Sequence, residues 1–304
     1  MQFTHNNHLS YSIGNKPYGY RENSIEKYSV GLGSVDPDRY ARNSYVDELH
    51  RTAELVRADL GDELVLFLSG GTDSEIVLRN FVHNGFKPRC VVLKFEKDYN
   101  LGEVTEAHAI AKELGVKLDT IDFNVHNFYN SGEAKEFGEQ IQCTQLTYIM
   151  VYHNILKLGV PAVMGGEALL TRQVNLNNSF WYYTFRENED ASAMRFTNKF
   201  DIPLVNEWFS YTPELLLHWL EHPKIKELVR TRLNYKLNSA SSKNAILSTL
   251  YKTRPKTKTH GFESLLAFNY TAYKDIGMNQ IKRLESSVDG IPYNIAIRQL
   301  KGQV

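Results

Sequence analysis

Glu63-Leu-Val-Leu-Phe-Leu68 leads directly into Ser69-Gly70-Gly71-Thr72-Asp73-Ser74, and the predicted fold is built around this junction. The first part is a short apolar run typical of a buried strand, and the residues after Ser74 have the apolar spacing of a helix. Two glycines between a strand and a helix let the backbone come close to a ligand. The N–H groups of such a turn and the helix dipole attract anions. We therefore predict an anion site here, with hydroxyl donors on Ser69, Thr72 and Ser74.

Asp73 places a carboxylate where phosphate oxygens would lie, which is unfavourable unless a cation separates the two. A carboxylate beside a polyphosphate is a usual way to hold Mg²⁺. The spacing matches neither the GxxxxGK[ST] phosphate loop nor the GxGxxG dinucleotide turn. The segment therefore predicts a magnesium–nucleotide site, and the alternative is a glycine-rich turn that binds no ligand.

Strand and helix patterns alternate around this turn. We predict strands at 64–68, 90–95, 117–123 and 160–164, and helices at 39–60, 75–84, 101–114 and 139–158. Such a series forms an α/β fold with a mostly parallel twisted sheet and helices on both faces. Ligands of these sheets bind at the carboxyl ends of the strands. Gly165, Gly166 and Glu167 follow the fourth strand, so we expect both glycine turns at the same edge of the sheet.

The remaining segments have different patterns. Residues 1–38 are polar and turn-rich and predict an N-terminal arm or short hairpin, and residues 39–170 form the predicted nucleotide-binding core. Within residues 171–304 we predict a strand at 179–185, which forms a hairpin with 193–197 or lines an acceptor pocket, and then a more helical part that closes the site. Asn100 and Glu103 have the spacing of a helix capping box.

Composition narrows the class of protein. The chain has 304 residues, of which 42% are hydrophobic and 23% charged, as in ordinary globular proteins. The formal net charge is zero, so no overall basic field attracts nucleic acid. Cys90 and Cys143 form no Cys-x-x-Cys pair, which argues against a structural zinc site or a redox dithiol. With no apolar run of membrane-spanning length and no secretory signal, we expect a cytoplasmic protein.

Ser69–Ser74 resembles the PP-loop of the ATP pyrophosphatase superfamily, the adenine nucleotide alpha hydrolase-like proteins, whose signature is Ser-Gly-Gly-x-Asp-Ser. The resemblance implies an enzyme that uses ATP and Mg²⁺ and cleaves ATP into AMP and pyrophosphate. The segment from Lys252 to Phe262 resembles the Arg-Pro-Lys-x-Gly-Phe region of the synthetase domain of asparagine synthetase, and Met164–Glu167 resembles its Ser-Gly-Glu/Asp loop. The likeness covers roughly residues 39 to 265.

The resemblance implies a specific role for each site residue. Ser69, Gly70, Gly71, Thr72 and Ser74 would cradle pyrophosphate, and Asp73 would hold Mg²⁺. Gly165 and Gly166 would also contact the nucleotide. Backbone groups near Leu93 and Lys94 would read the adenine. Lys256 would contact the α-phosphate and stabilise developing negative charge. Glu167 would take a proton from a nitrogen nucleophile, or it is an ordinary polar loop residue.

The chain departs from the family in ways that leave its function open. Gln2 stands where the nucleophilic cysteine of the glutaminase domain would be, so we expect no glutamine hydrolysis. Leu169, Leu170 and Thr171 replace an acidic pair, which puts a second metal ligand in question. The sequence favours an adenylating ligase that joins a carboxylate to ammonia or an amine. The alternatives are a PP-loop enzyme that modifies a nucleobase or tRNA, less favoured by the neutral charge, and an ATP-binding protein with impaired catalysis. The acid, the nucleophile and the oligomeric state are not identified by the sequence.

Overall fold

A five-stranded sheet forms the centre of the protein. The computed structural model describes residues 8–13, 16–17, 28–143, 145–166, 170–175, 178–186, 190–230, 246–247, 249–254 and 288–303. The strands of the sheet are β4 Val65–Phe67, β5 Arg89–Phe95, β6 Leu118–Phe123, β7 Ala162–Val163 and β10 Leu204–Val205. They lie in the order β10–β7–β4–β5–β6, and all four neighbouring pairs are parallel. The predicted parallel sheet is confirmed, with β10 as an edge strand that the sequence analysis missed.

Helices cover both faces of this sheet. Val65 and Phe67 pack with residues of the helices α5 Val125–Asn130, α6 Glu133–Gln140 and α7 Leu146–Leu158. Leu66 packs on the opposite face with the helices α2 Tyr45–Leu60, α3 Thr72–His83 and α4 Leu101–Leu114. Successive side chains of a strand point to opposite faces. The apolar residues of β4 therefore belong to two separate cores, and the predicted fold class is confirmed.

Two predicted helices are each divided in the structure. The helix expected at 39–60 consists of α1 Pro37–Arg42 and α2, which is introduced by a capping box at Ser44 and Asp47. The helix expected at 139–158 is wrong in its first turns, because α6 ends at Gln140 and α7 begins only at Leu146. Gln142 has a φ of +47° between them, a conformation that no α-helix contains. Cys143 thus lies in the connection between α6 and α7 rather than in a helix.

The N-terminal segment forms a small antiparallel sheet. Its strands β1 Leu9–Ile13, β2 Lys16–Pro17 and β3 Tyr28–Leu32 lie in the order β2–β1–β3. The Tyr11 hydroxyl donates to Glu207 Oε1 at 2.6 Å, and His8 Nε2 donates to the Ser210 carbonyl at 2.6 Å. These buried hydrogen bonds attach the segment to the chain that follows β10.

The C-terminal part combines a second antiparallel sheet with helices. Its strands are β8 Leu170–Asn175, β9 Asn178–Arg186 and β11 Val288–Pro292, in the order β11–β9–β8. Its helices are α8 Asp190–Phe200, α9 Pro213–Glu221, α10 Pro223–Arg230 and α11 Tyr293–Leu300. The predicted strand at 179–185 is present, but the predicted hairpin partner at 193–197 is wrong. That segment is helical, and residues 170–175 are the partner of β9.

Among the described residues, no helix combines the length and the apolar character needed to cross a bilayer. The division into residues 1–38, 39–170 and 171–304 stays a prediction.

Candidate functional site

The turn Ser69–Ser74, called the glycine turn below, joins β4 to the N-terminus of α3. Gly71 is the N-cap of α3, and its carbonyl accepts the N–H of Glu75 at 3.1 Å. Ser74 Oγ donates to the same carbonyl at 3.2 Å, and the Oγ atoms of Ser69 and Ser74 are also 3.2 Å apart. The N-terminal N–H groups of a helix have no partner within the helix. The turn therefore presents these N–H groups, the helix dipole and converging hydroxyls in one place.

Close packing explains why position 70, the first glycine of this turn, has no side chain. Gly70 has a φ of +72°, and a Cβ atom there would lie 2.5 Å from the Glu103 carbonyl oxygen. Side chains rarely adopt this backbone conformation, and that distance is far below van der Waals contact. The N-terminal turn of α4 thus lies directly against the glycine turn.

A second glycine turn, Met164–Gly166, follows β7 and contacts the first. A Cβ atom at Gly165 would lie 3.0 Å from Asp73 Cβ and 3.1 Å from Ser74 N. Because β7 and β4 are neighbouring parallel strands, their carboxyl ends lie at one edge of the sheet. The structure therefore brings Gly165, Gly166 and the glycine turn together.

A cavity of about 400 Å³ opens between the two glycine turns, β5 and α7. This volume lies in the range of small-molecule sites. At the glycine turn the cavity is lined by Ser69, Asp73 and Ser74. Its walls include apolar side chains from three elements, namely Phe67, Val91, Leu93, Phe95, Met150 and Val151. The arrangement suits a ligand with an anionic group at one end and a flat apolar group at the other.

Leu93 and Lys94, the residues expected to read adenine, are placed differently. Leu93 lines the cavity. Lys94 does not lie among the lining residues; its side chain is 39% exposed and pairs with Asp98 at 3.1 Å. Of these two residues, only Leu93 faces the candidate site.

Asn100 lines the cavity and was assigned a different role by the sequence analysis. The predicted capping box with Glu103 is wrong, since Asn100 makes no side-chain hydrogen bond to the N-terminus of α4. Its Oδ1 accepts the Phe95 N–H at 2.9 Å, and its Nδ2 donates to the Leu93 carbonyl at 2.7 Å. The residue is buried and fixes the end of β5.

Gln145, Thr147 and Tyr148 also line the cavity, and sequence reasoning missed them as site residues. They belong to the start of α7, where the apolar pattern indicated only a packing helix. Gln145 accepts the Thr147 N–H at 2.7 Å and so caps this helix. The glycine pattern signals the phosphate side of the site, whereas no comparable signal marks this opposite wall.

Tyr45, at the first turn of α2, is buried and lies near Asp73. Burial, with the neighbouring Tyr251 hydroxyl and the Asp73 carboxylate, raises the pKa of Tyr45 above its ordinary range. Its hydroxyl is therefore neutral at physiological pH. Tyr251 in turn donates to Asn80 Oδ1 at 2.8 Å. These contacts join the chain near residue 251 to α3.

The two predicted catalytic residues, Lys256 and Glu167, lie outside the described residues. Their neighbours in the chain are described. Gly166 belongs to the second glycine turn, and the Arg254 N–H donates to Glu75 Oε1 at 3.3 Å. The Arg254 guanidinium donates to Glu106 Oε2 at 3.2 Å and lies 3.8 Å from Glu113 Oε2. Arg254 is thus attached to α3 and α4 close to the glycine turn.

The oxygen ligands at the glycine turn suit Mg²⁺ better than they suit a metal ion whose ligands all come from the protein. Within the described part of the chain, no group of three or more His, Cys, Asp or Glu side chains is placed to hold a metal ion. Mg²⁺ usually binds one or two carboxylates, keeps several waters and takes further oxygens from substrate phosphates. The Asp73 carboxylate and the nearby hydroxyls fit that pattern.

No protein-family model matches the sequence, and no curated protein matches it. One similar solved structure is a predicted subunit of a tRNA methyltransferase from Methanocaldococcus jannaschii, with 14% sequence identity and a TM-score of 0.31. The match covers 51% of this chain and 73% of the methyltransferase subunit. An NMN synthetase from Francisella tularensis is similar with 12% identity and a TM-score of 0.30, covering 79% of this chain and 95% of its own. Likeness at this level carries no argument about activity, so the function is argued from the site itself.

Proposed function

We propose that this protein is an ATP-dependent adenylating ligase that cleaves ATP between its α- and β-phosphates. The observation that carries the proposal is the glycine turn at the N-terminus of α3, which opens into a cavity of about 400 Å³. The turn supplies the donors that a pyrophosphate group needs. The apolar walls around Leu93 suit the base of the nucleotide.

The glycine turn holds the leaving group in this proposal. N–H groups of Gly70, Gly71 and Thr72 and the hydroxyls of Ser69 and Ser74 bind the β- and γ-phosphates, and Gly165 and Gly166 complete the cradle. Asp73 holds Mg²⁺, which when bound offsets negative charge on these phosphates. These groups are positioned before the reaction, so little reorganisation accompanies the departure of pyrophosphate.

The chemistry proceeds in two displacements at this site. A carboxylate oxygen attacks the α-phosphorus, the bond to the β-phosphate breaks, and pyrophosphate leaves. Lys256 stabilises the charge that develops at the α-phosphate. Ammonia or an amine then attacks the acyl carbon, AMP leaves and an amide forms, while Glu167 accepts the proton lost by the nitrogen. Binding both substrates side by side supplies much of the rate enhancement.

Support for the role of Lys256 comes from the position of Arg254. Arg254 is attached to Glu75, which directly follows the glycine turn, and to Glu106, whose Cβ atom would lie 3.2 Å from a Cβ atom at Gly70. Two residues of extended chain span at most about 7 Å, so Lys256 begins within that reach of Arg254. We therefore propose that the Lys256 ammonium acts at the phosphate end of the cavity.

The test is to identify the products formed from ATP. With Mg²⁺, a panel of carboxylates and ammonia, we expect AMP and pyrophosphate in equal amounts, and only with the cognate acid. Asp73→Ala and Lys256→Ala abolish this reaction. Lys252→Ala, which changes an exposed residue of the same basic segment, retains it. Release of ADP and inorganic phosphate, or full turnover by Asp73→Ala, contradicts the proposal.

A second function uses the same site with a different acceptor. The observation that favours it is the run of cations at Lys252, Arg254, Lys256 and Lys258, which suits contact with a nucleic-acid backbone. The enzyme would then adenylate a carbonyl of a nucleobase or of tRNA before nitrogen or sulfur attacks. Salt-dependent RNA binding, strongest at low salt, supports this function, and its absence removes it.

A further inference from the structure

The side-chain carboxamide of Asn100 lies beside β5, in the position that the next peptide group of β4 would take if β4 were longer. A carboxamide has the same donor and acceptor as a peptide group. Asn100 offers its acceptor to the Phe95 N–H and its donor to the Leu93 carbonyl, at 2.9 and 2.7 Å. It is 3% exposed, so both hydrogen bonds are shielded from water. A side chain in another element thus continues the ladder of β5.

The alternation of the ladder shows which backbone groups remain at the cavity. The Cys90 N–H donates to the Lys117 carbonyl, on the side of β6, whereas the Val91 carbonyl accepts the Leu68 N–H, on the side of β4. Alternate residues of a strand direct their peptide groups to opposite neighbours. The peptide groups of Leu93 and Phe95 therefore point towards β4, and those of Lys94 point towards β6.

Between the end of the β4 ladder and the Asn100 carboxamide lies the N–H of Leu93. The last group paired by the β4 side is the Val91 carbonyl, and the next two paired groups are the Leu93 carbonyl and the Phe95 N–H. The Leu93 N–H comes between them in chain order and on the same side. Leu93 also lines the cavity.

We propose that Asn100 is a positioning residue that makes this strand end selective for adenine. This inference rests on the proposed function, because it assumes that the base of ATP occupies the apolar end of the cavity. Asn100 holds Leu93 so that its N–H points at the Watson–Crick edge of the base. Adenine presents the acceptor N1 there, whereas guanine presents an N–H, so two donors would face one another. A buried donor that meets no acceptor has given up its hydrogen bond to water without replacement, which weakens binding.

Two substitutions separate this role from simple packing. Asn100→Leu removes both hydrogen bonds, and Asn100→Asp keeps an acceptor for Phe95 but has no donor for the Leu93 carbonyl. A matched control is Asn154→Leu. Asn154 is 4% exposed, and its Nδ2 donates to the Met150 carbonyl at 2.8 Å within α7. The Asn154→Leu substitution therefore removes an equally buried hydrogen bond between a carboxamide and the backbone, away from the end of β5.

Calorimetric titration of the full chain with MgATP and MgGTP tests the proposal. We expect the wild type to prefer ATP, both Asn100 variants to bind ATP about tenfold more weakly, and GTP affinity to change by less than about twofold. Asn154→Leu keeps the wild-type ratio of ATP to GTP affinity despite a lower melting temperature. If Asn100→Leu does not fold, Asn100→Asp carries the comparison.

Two results overturn the inference and are distinct from failure of the proposed function. Wild-type selectivity in the folded Asn100 variants would show that Asn100 only supports the fold. An equal loss of selectivity in Asn154→Leu would show that it follows from reduced stability. Absence of MgATP binding by the wild type would instead remove the proposed function, and this inference with it.

Discussion

Gly166 lies against the backbone of Asn206, so closely that a Cβ atom at position 166 would be 1.8 Å from the Asn206 carbonyl oxygen. Asn206 is fixed from its other side, because its Nδ2 donates to the hydroxyl of the fully buried Tyr152 at 2.9 Å. Since Gly165 packs against Asp73, the second glycine turn is held between the glycine turn and the chain after β10. The path of the backbone leading to Glu167 is therefore set by contacts on both sides.

Replacement of Gly166 by alanine tests this contact. Gly166 has a φ of +59°, so alanine costs about 1–2 kcal/mol from backbone strain and about 1–3 kcal/mol more from displacing Asn206. Gly159→Ala is the control, because Gly159 has a φ of +65° and a Cβ atom there would meet nothing within 4 Å. We expect urea denaturation to show a clearly larger loss of unfolding free energy for Gly166→Ala. Equal losses in the two variants would mean that the contact with Asn206 relaxes freely.

Replacement of Arg254 by alanine tests the attachment of the basic segment. Its ion pairs with Glu106 and Glu113 are partly exposed, so we expect a change in unfolding free energy of less than about 1 kcal/mol. Affinity for MgATP falls by about tenfold if Arg254 holds Lys256 near the α-phosphate. The control is Arg89→Ala, which removes a similarly exposed pair with Asp119 at the start of β5. An Arg254→Ala protein that binds MgATP as tightly as the wild type would contradict this account.

Lowering the pH should decrease the free energy of unfolding because of His8. Burial lowers the pKa of His8 from 6.5 to about 4, against the smaller opposing effect of its hydrogen bond to Ser210. The unfolded chain therefore binds a proton between pH 6.5 and 4 that the folded protein excludes. The stability that His8 contributes is fully present above pH 6.5, falls as the pH is lowered, and is reduced by about 3 kcal/mol at pH 4.

The variant His8→Gln isolates this contribution from that of the carboxyl groups. We expect urea denaturation at several pH values to give a flatter dependence for His8→Gln than for the wild type between pH 6.5 and 4. Parallel curves for the two proteins would show that His8 titrates normally and that the N-terminal sheet is not held by a buried neutral imidazole.

The parts of the fold that the sequence predicts are those set by local patterns. The strands β4, β5 and β6 and the helices α3 and α4 follow from apolar runs, apolar spacing and the glycines Gly85 and Gly115 just after the two helices. The position of both glycine turns at one sheet edge follows from the βαβ connections. Local patterns suffice here because each element buries a face that its own sequence marks as apolar.

Other features depend on contacts between distant residues. Residues 193–197 are helical although a hairpin partner was expected there, since the choice of a strand partner depends on which edge is free in the folded chain. β10 contains only Leu204 and Val205, too few residues for a periodic pattern. Asn100 has capping-box spacing, but two buried backbone groups of β5 would lose their partners if it capped α4. The competing hydrogen bonds are invisible in the sequence.

In the proposed function the glycine turn binds the pyrophosphate part of MgATP. Calorimetric titration of the full chain with MgATP, in the absence and presence of inorganic pyrophosphate, measures this binding. We predict that MgATP binds at one site per chain and that magnesium pyrophosphate displaces it competitively. MgATP binding that pyrophosphate leaves unchanged, or no MgATP binding at all, would contradict the claim.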